Sequence, residues 1–166
     1  MDIALSDKQV LRIVKGKANI VLYPNLYRYQ NIDDLITPYG ACFILFESKP
    51  SFGHWCALIK TGDNDIEFFN PYGGYPDDSL GYIPEQFAKI SNQDYPYLSR
   101  LMIDSKYNLA YNEHTFQKRN RDIRTCGRWS AMRILLKDYS LDEFTKYFLN
   151  KNSDKLVTTL TSWINE

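Results

Sequence analysis

Residues 125–135 read TCGRWSAMRIL, a run that predicts where the main helix of the fold begins. A polar, basic loop precedes the run, and from Ser130 onward apolar residues follow helical spacing, with no Gly or Pro before the chain end. We therefore expect Cys126 in the first turn of this helix, where unpaired N–H groups and the helix dipole favour negative charge on the sulfur. A lowered pKa makes such a cysteine nucleophilic, and the alternative is a small core residue at a helix start.

Two apolar runs at residues 41–46 and 54–59, and a third short segment at 66–69, predict strands of one sheet upstream of this helix. Their connections are short and rich in Gly, Pro, Ser, Asn and Asp, which predicts antiparallel neighbours. Further strands are predicted at 19–23 and 107–111, and helices start at Ser6, Asn31, Pro84, Ser140 and Ser153. The chain is thus predicted to be one α+β domain, 1–166, with a small mixed, largely antiparallel central sheet flanked by helices.

The composition excludes several classes of protein. Twenty basic and twenty acidic residues cancel, so no global charge draws the chain to nucleic acid or to a membrane. Three irregularly spaced cysteines and two histidines form neither a disulfide framework nor close pairs of zinc ligands. The first residues do not resemble a signal peptide, and no apolar run reaches the roughly 20 residues of a membrane span. We expect a monomer in a reducing compartment, without a metal, with Cys42 and Cys56 packed in the sheet.

Basic residues crowd around Cys126 although the whole chain is neutral. Three interpretations of these residues are open. They can be the solvated face of a loop and a helix, they can stabilise a thiolate at Cys126, or they can contact a polyanion such as DNA. The candidates for a DNA or polyanion contact are Lys118, Arg119, Arg121, Arg124 and Arg128.

The two histidines, His54 and His114, are the candidates for a base. His54 begins a predicted strand directly after Gly53, and Asn70 ends the next strand. If these strands pair as a hairpin, both side chains lie at one end of the sheet, where the Asn70 carbonyl oxygen can orient the imidazole. The alternative for Asn70 is a strand terminator before Pro71.

Gln117 is a candidate for stabilising a developing negative charge. It lies nine residues before Cys126, and its amide and the backbone N–H of Cys126 form a candidate oxyanion hole. A surface glutamine is the alternative interpretation, and Asn112 and Asn120 compete for the same role.

The order of these residues resembles the signature of the cysteine-protease clan that contains the adenovirus protease and the ubiquitin-like-protein proteases. The motifs that carry the resemblance lie within residues 40–136 and are His54-Trp55, Asn70, Gln117 and Cys126-Gly127. The resemblance implies Cys126 as the nucleophile, His54 as general base and acid, Asn70 as the third member of a triad and Gln117 in the oxyanion hole. Many members of the clan carry Asp where this chain has Asn70.

The resemblance also implies a substrate groove and a biological role. Trp55 is expected to form a wall of the groove, and Gly127 to let the substrate backbone approach the nucleophile. The implied function is a viral endopeptidase, most like the adenovirus enzyme, that cleaves capsid or core precursors during maturation in the virion and the infected host cell. DNA or an activating peptide is a candidate cofactor. The alternatives are a protease that removes ubiquitin-like modifiers at Gly-Gly tails and a non-catalytic capsid-associated protein.

Overall fold

A computed structural model describes residues 3–120, 122–149 and 152–165. The strands are Asn19–Leu22 (β1), Ala41–Lys49 (β2), Phe52–Gly62 (β3), Asp65–Phe69 (β4) and Asn108–Tyr111 (β5). They form one sheet in the order β1-β2-β3-β4-β5. The three central strands are antiparallel, whereas the edge strands β1 and β5 pair in parallel with β2 and β4. The predicted α+β class with a small mixed sheet is confirmed.

Helices flank the sheet on both faces. The α-helices are Asp7–Ile13 (α1), Asp33–Ile36 (α2), Glu85–Ile90 (α3), Tyr97–Ile103 (α4), Cys126–Leu135 (α5), Leu141–Tyr147 (α6) and Ser153–Asn165 (α7). Two 3₁₀ helices cover Tyr23–Arg28 and Asp78–Tyr82. The sequence predicted every α-helix of this set except α4, and neither 3₁₀ helix. No helix within the described ranges is long and apolar enough to cross a membrane.

Local capping explains where two of these helices begin. Ser6 and Ser140 each accept a hydrogen bond from the third helical N–H, while Gln9 and Glu143 bond back to the cap N–H. Such a reciprocal pair satisfies two N–H groups that a helix start leaves unpaired. The predicted starts of α1 and α6 are confirmed by these bonds.

Alternation along the strands builds a core on each face of the sheet, because successive side chains of a strand point to opposite faces. On one face, Phe43, Leu45, Trp55 and Ala57 pack under α1, α5, α6 and α7. The side chains of the other face pack under α2, α4 and the first 3₁₀ helix, and they include Cys42, Ile44, Phe46, Cys56 and Leu58. Cys42 and Cys56 are fully buried there, as predicted.

The start of β3, the end of β4 and the start of α5 come together at one end of the sheet. The β3–β4 hairpin pairs Ala57 with Phe69, so the first residues of β3 and the residue that follows β4 lie at the same edge. Helix α5 crosses β3 at that edge, where Ser130 Oγ donates to Trp55 O at 3.1 Å. The chemically active side chains meet where these three segments converge.

Candidate active site

A cleft of about 450 Å³ brings His54, Gln117 and Cys126 together. The start of β3, the loop before α5 and the second 3₁₀ helix line it, and Asn70 contacts His54 from behind. His114 lies elsewhere, in a depression beside β5 and α6. The structure therefore places the predicted base His54, and not His114, in the same cleft as Cys126.

Cys126 is the first residue of α5, as the sequence predicted. The residue is only 6% exposed, and Trp55 N–H donates to Sγ at 3.4 Å. Burial raises the pKa of the Cys126 thiol, although the backbone N–H groups of Trp55, Gly127 and Cys126 itself oppose this rise. The expected lowering of the pKa at the helix start is thus corrected: desolvation outweighs the N–H groups, and the resting sulfur is a thiol that needs a base.

Asn70 holds the His54 imidazole in one tautomer. Its Oδ1 lies 2.8 Å from His54 Nε2 and also accepts Tyr72 N–H at 3.0 Å, while its Nδ2 donates to Ser79 Oγ at 3.1 Å. Because Tyr72 N–H can only donate, the atom facing His54 is an oxygen, and His54 Nε2 must carry the proton. The other ring nitrogen, Nδ1, is then the basic one.

Asn112 fixes the backbone of Asn70, a role that sequence reasoning missed. Asn112 Oδ1 accepts Asn70 N–H at 2.9 Å, and its Nδ2 donates to Asn70 O at 2.7 Å and to His114 O at 3.1 Å. Both asparagines are 2% exposed. Asn112 therefore positions the orienting group and lies outside the cleft, which corrects its candidacy for the oxyanion hole.

The Gln117 amide lines the cleft with only 2% of the residue exposed, so it is not a surface glutamine. Gln117 Nε2 donates to Ile123 O at 2.9 Å and carries a second N–H, while Oε1 is buried without a hydrogen-bond partner among the described residues. Asn120 also borders the cleft, but it is an exposed residue. Of the three candidates for the oxyanion hole, Gln117 is the one that is both buried and in the lining of the cleft that contains Cys126.

Trp55 and Gly127 lie behind the cleft, so the groove roles expected for them are not supported. Trp55 is 4% exposed, and its Nε1–H donates to Leu5 O at 3.0 Å. A Cβ on Gly127 would meet Val10 Cγ1 at 2.9 Å and Trp55 Cδ1 at 3.1 Å. Gly127 is therefore required by the packing of α5 against α1 and β3, rather than by an approaching substrate.

The basic candidates do not share one surface. Arg119 and Arg124 border the cleft, whereas Arg128 turns toward α7, where it donates to Thr161 Oγ1 at 2.8 Å. Lys118 is exposed, and Arg121 lies outside the described residues. Arg128 is therefore not part of a basic surface shared with Arg119 and Arg124. A DNA contact by the remaining residues stays a prediction.

The chain is 54% identical over 165 residues to a Sputnik virophage protein named "Uncharacterized protein V9", a match that covers 96% of this chain and 94% of that protein. The chain belongs to the V9 family. No protein-family model matches it.

The V9-family chain is also similar to two solved structures, each with a TM-score of 0.48 over 98% of its length. One is the central domain of the uncharacterized Lpg1148 protein from Legionella pneumophila, at 14% identity over 96% of that chain. The other is the SUMO protease Ulp1 with its catalytic cysteine oxidised to a sulfinic acid, at 17% identity over 77% of that chain. Similarity at this level assigns neither chemistry nor substrate to the V9-family chain.

A buried carboxylate ties the last helix of the V9-family chain to the segments around the cleft. Asp154 Oδ1 accepts Thr125 Oγ1–H at 2.7 Å and Trp129 Nε1–H at 2.9 Å, and its Oδ2 accepts Lys118 N–H at 3.1 Å. Thr125 and Lys118 are the sequence neighbours of Cys126 and Gln117. Asp154 thus anchors both segments that carry the candidate oxyanion donors, although no local pattern marked it as a site residue.

The Asp154→Asn variant of the V9-family chain is expected to be less stable by about 1.5–3 kcal/mol, the usual worth of a hydrogen bond to a charged group. The amide keeps one acceptor oxygen but turns an N–H toward either Lys118 N–H or the Thr125–Trp129 pair. Urea unfolding measures the change, and Asp142→Asn, at an exposed carboxylate in α6, is the matched control. An equal effect of both substitutions would contradict the anchoring role.

The pH dependence of the V9-family site is expected to follow His54. Burial is the main cause that lowers the pKa of His54 to about 4, with the charge of Arg119 adding to it and the Asn70 hydrogen bond opposing it. A pKa below the ordinary value means that the imidazole stays neutral, and able to accept a proton, from neutral pH down to about pH 4. An NMR titration of the imidazole protons, assigned with a His114→Gln variant, should show this midpoint.

The Asn70→Asp substitution in the V9-family chain is expected to raise the pKa of His54, opposite to the lowering that burial causes in the wild type. A carboxylate beside the ring favours imidazolium, so the pKa of His54 is expected to rise by about one to three pH units, and the loss of activity in acid moves up with it. Asn120→Asp adds the same charge at the cleft without contacting His54 and serves as the control. A midpoint that rises equally in both variants would contradict the role of Asn70.

Proposed function

We propose that this protein is a cysteine endopeptidase in which Cys126 attacks a peptide carbonyl and His54 moves the protons. The observation that carries the proposal is the tautomer fixed by Asn70: Nε2 is held as the donor, so Nδ1 is the base of a ring that shares a cleft with the one thiol at a helix start. A neutral imidazole beside a neutral thiol is a general-base pair.

The reaction follows from these groups. As Sγ bonds to the carbonyl carbon, the thiol proton passes to His54 Nδ1, and the carbonyl oxygen becomes an oxyanion facing the Cys126 N–H and the free Gln117 Nε2–H. His54 then returns the proton to the leaving amine nitrogen, the C–N bond breaks and a thioester remains. Water attacks the thioester with His54 again accepting a proton, and the acid product leaves as the thiol is restored.

Asn70 supports this cycle without adding a full charge. It holds the Nε2–H bond while Nδ1 gains and loses a proton, so the ring does not rotate between steps. Asp would stabilise the imidazolium more strongly, whereas Asn orients the ring and leaves it neutral at rest. Asn112, bonded to both backbone groups of Asn70, keeps that amide in place.

Virion maturation is the role we propose for the activity, with capsid or core precursor proteins as substrates. The support is the 54% identity to a virophage protein together with a cleft that is open to a peptide. Removal of ubiquitin-like modifiers gains no support from Trp55, because its indole is buried, donates to Leu5 O and does not line the cleft.

Covalent probes test this proposal directly. Peptides with a C-terminal vinyl sulfone are expected to label the protein, and tryptic mapping should locate the adduct on Cys126 rather than on Cys42 or Cys56. A ubiquitin-like protein with the same electrophile after its Gly-Gly tail is the comparison. Faster labelling by the modifier probe would replace maturation by deconjugation, and no adduct on Cys126 with either probe would overturn the protease itself.

A further inference from the structure

The cleft beside Cys126 is positively charged. Arg119 and Arg124 border it, and no Asp or Glu is among its lining residues. Neither guanidinium forms an ion pair or a side-chain hydrogen bond with another residue of the described ranges. The two charges are therefore left for a ligand in the cleft.

Aromatic rings hold both guanidinium groups in place. Arg119 Cζ lies 4.5 Å from the Tyr72 ring centroid and 5.2 Å from that of Tyr82, and Arg124 Cζ lies 5.9 Å from that of Phe52. A guanidinium that rests on a ring face keeps its N–H edge free, and that edge matches the two oxygens of a carboxylate. The two exposed arginines thus lie over aromatic rings at the border of the cleft, an arrangement that suits a planar anion.

The distance from the reacting groups places this anion along a bound peptide. The Tyr72 ring stacks on the His54 imidazole with centroids 4.7 Å apart, and the Arg119 guanidinium lies 4.5 Å from the centroid of the same ring, so Arg119 lies within about 9 Å of the base. A peptide bound in extended form advances about 3.3 Å per residue, which brings a side chain about two or three residues from the scissile bond to Arg119. Phe46, Ile83 and Ile123 line the cleft near these arginines and suit an apolar neighbour.

We propose that Arg119 and Arg124 select substrates that carry Asp or Glu within about three residues of the scissile bond. The inference rests on the proposed peptidase function and names its substrate class. Losing one charge-assisted hydrogen bond is expected to lower kcat/KM for an acidic peptide by about 10- to 100-fold. For the corresponding peptide with Gln or Asn in place of the acidic residue, the loss of one arginine should change kcat/KM little.

A proteome-derived peptide library read by mass spectrometry tests the selection. In the wild type, Asp and Glu should be enriched near the cleaved bond; Arg119→Gln and Arg124→Gln should each weaken the enrichment, and Arg119→Glu should shift it toward Lys and Arg. The matched control is Arg28→Gln, because Arg28 is exposed and rests on the Tyr27 ring at 5.4 Å but lies outside the cleft. Its cleavage pattern should equal that of the wild type.

The outcomes separate this inference from the function on which it rests. Cleavage without acidic enrichment, or with enrichment unchanged in both glutamine variants, overturns the inference alone. Cleavage that lacks acidic preference but rises with added duplex DNA also overturns it, since the arginines then serve a polyanion. Cleavage of no peptide at all overturns the endopeptidase function and the inference together.

Discussion

Replacing Cys126 with alanine is expected to reduce peptide cleavage to background, a loss on the order of 10⁶-fold in kcat, as found when the nucleophile of a catalytic triad is removed. The alanine leaves His54, Asn70 and Gln117 in place but removes the atom that bonds to the carbonyl carbon. Stability should change by only about 1 kcal/mol, because a single small side chain is truncated. The loss is therefore chemical rather than structural.

A peptide from the cleavage library, assayed with purified wild type and Cys126→Ala, measures this effect, and circular dichroism confirms the fold. The matched control is Cys42→Ala, which removes a buried thiol from the opposite face of the sheet and should retain activity. Cleavage by Cys126→Ala at the wild-type rate would show that the nucleophile is another group.

Arg133→Met is expected to cause the largest loss of stability, about 3–5 kcal/mol, because it breaks a buried ion pair from one side. Arg133 Nε and Nη2 donate to the two oxygens of Glu67 at 2.8 and 2.9 Å, and the two residues are 0% and 2% exposed. Removing the guanidinium leaves the Glu67 carboxylate in the core without its partner. The pair joins α5 to β4, so its loss loosens the helix that carries Cys126.

Urea unfolding of three variants measures this prediction. The double variant Arg133→Met with Glu67→Leu should recover most of the lost stability, since an apolar pair of similar volume replaces the charges. Lys146→Met breaks the exposed pair with Asp142 and should cost only about 0.3–0.5 kcal/mol. A cost below 1 kcal/mol for Arg133→Met would contradict the view that this pair anchors α5.

Local patterns in the sequence predicted most of the strands and helices of the fold. Apolar runs at residues 41–46 and 54–59 mark the two longest strands, and α1 and α6 begin after the predicted cap residues Ser6 and Ser140. Helix α4 was missed because a short helix packed under a sheet depends on contacts distant in the chain. Hairpin pairing alone was enough to bring His54 next to Asn70.

The errors in the site have physical causes. The family resemblance implied Trp55 as a wall of the groove, yet adjacent side chains of a strand face opposite ways, so a strand that turns His54 toward the cleft turns Trp55 away from it. The same resemblance implied that Gly127 admits the substrate backbone, whereas the space beside its Cα is filled by Val10 and Trp55. The prediction of a thiolate at Cys126 was wrong because a helix start indicates only that the dipole lowers the pKa. The larger effect of desolvation, which raises the pKa, depends on burial that the sequence does not show. Asp154 and Asn112 act through partners far along the chain and leave no local pattern.

The central claim is that the His54 imidazole activates the Cys126 thiol, and the rate of Cys126 alkylation by iodoacetamide at pH 7 tests it most directly. Site-resolved mass spectrometry should show that His54→Gln slows the modification of Cys126 by about 10²-fold or more, while His114→Gln leaves the rate unchanged. Equal rates in the wild type and His54→Gln would contradict the claim, because the thiol would then react without its base.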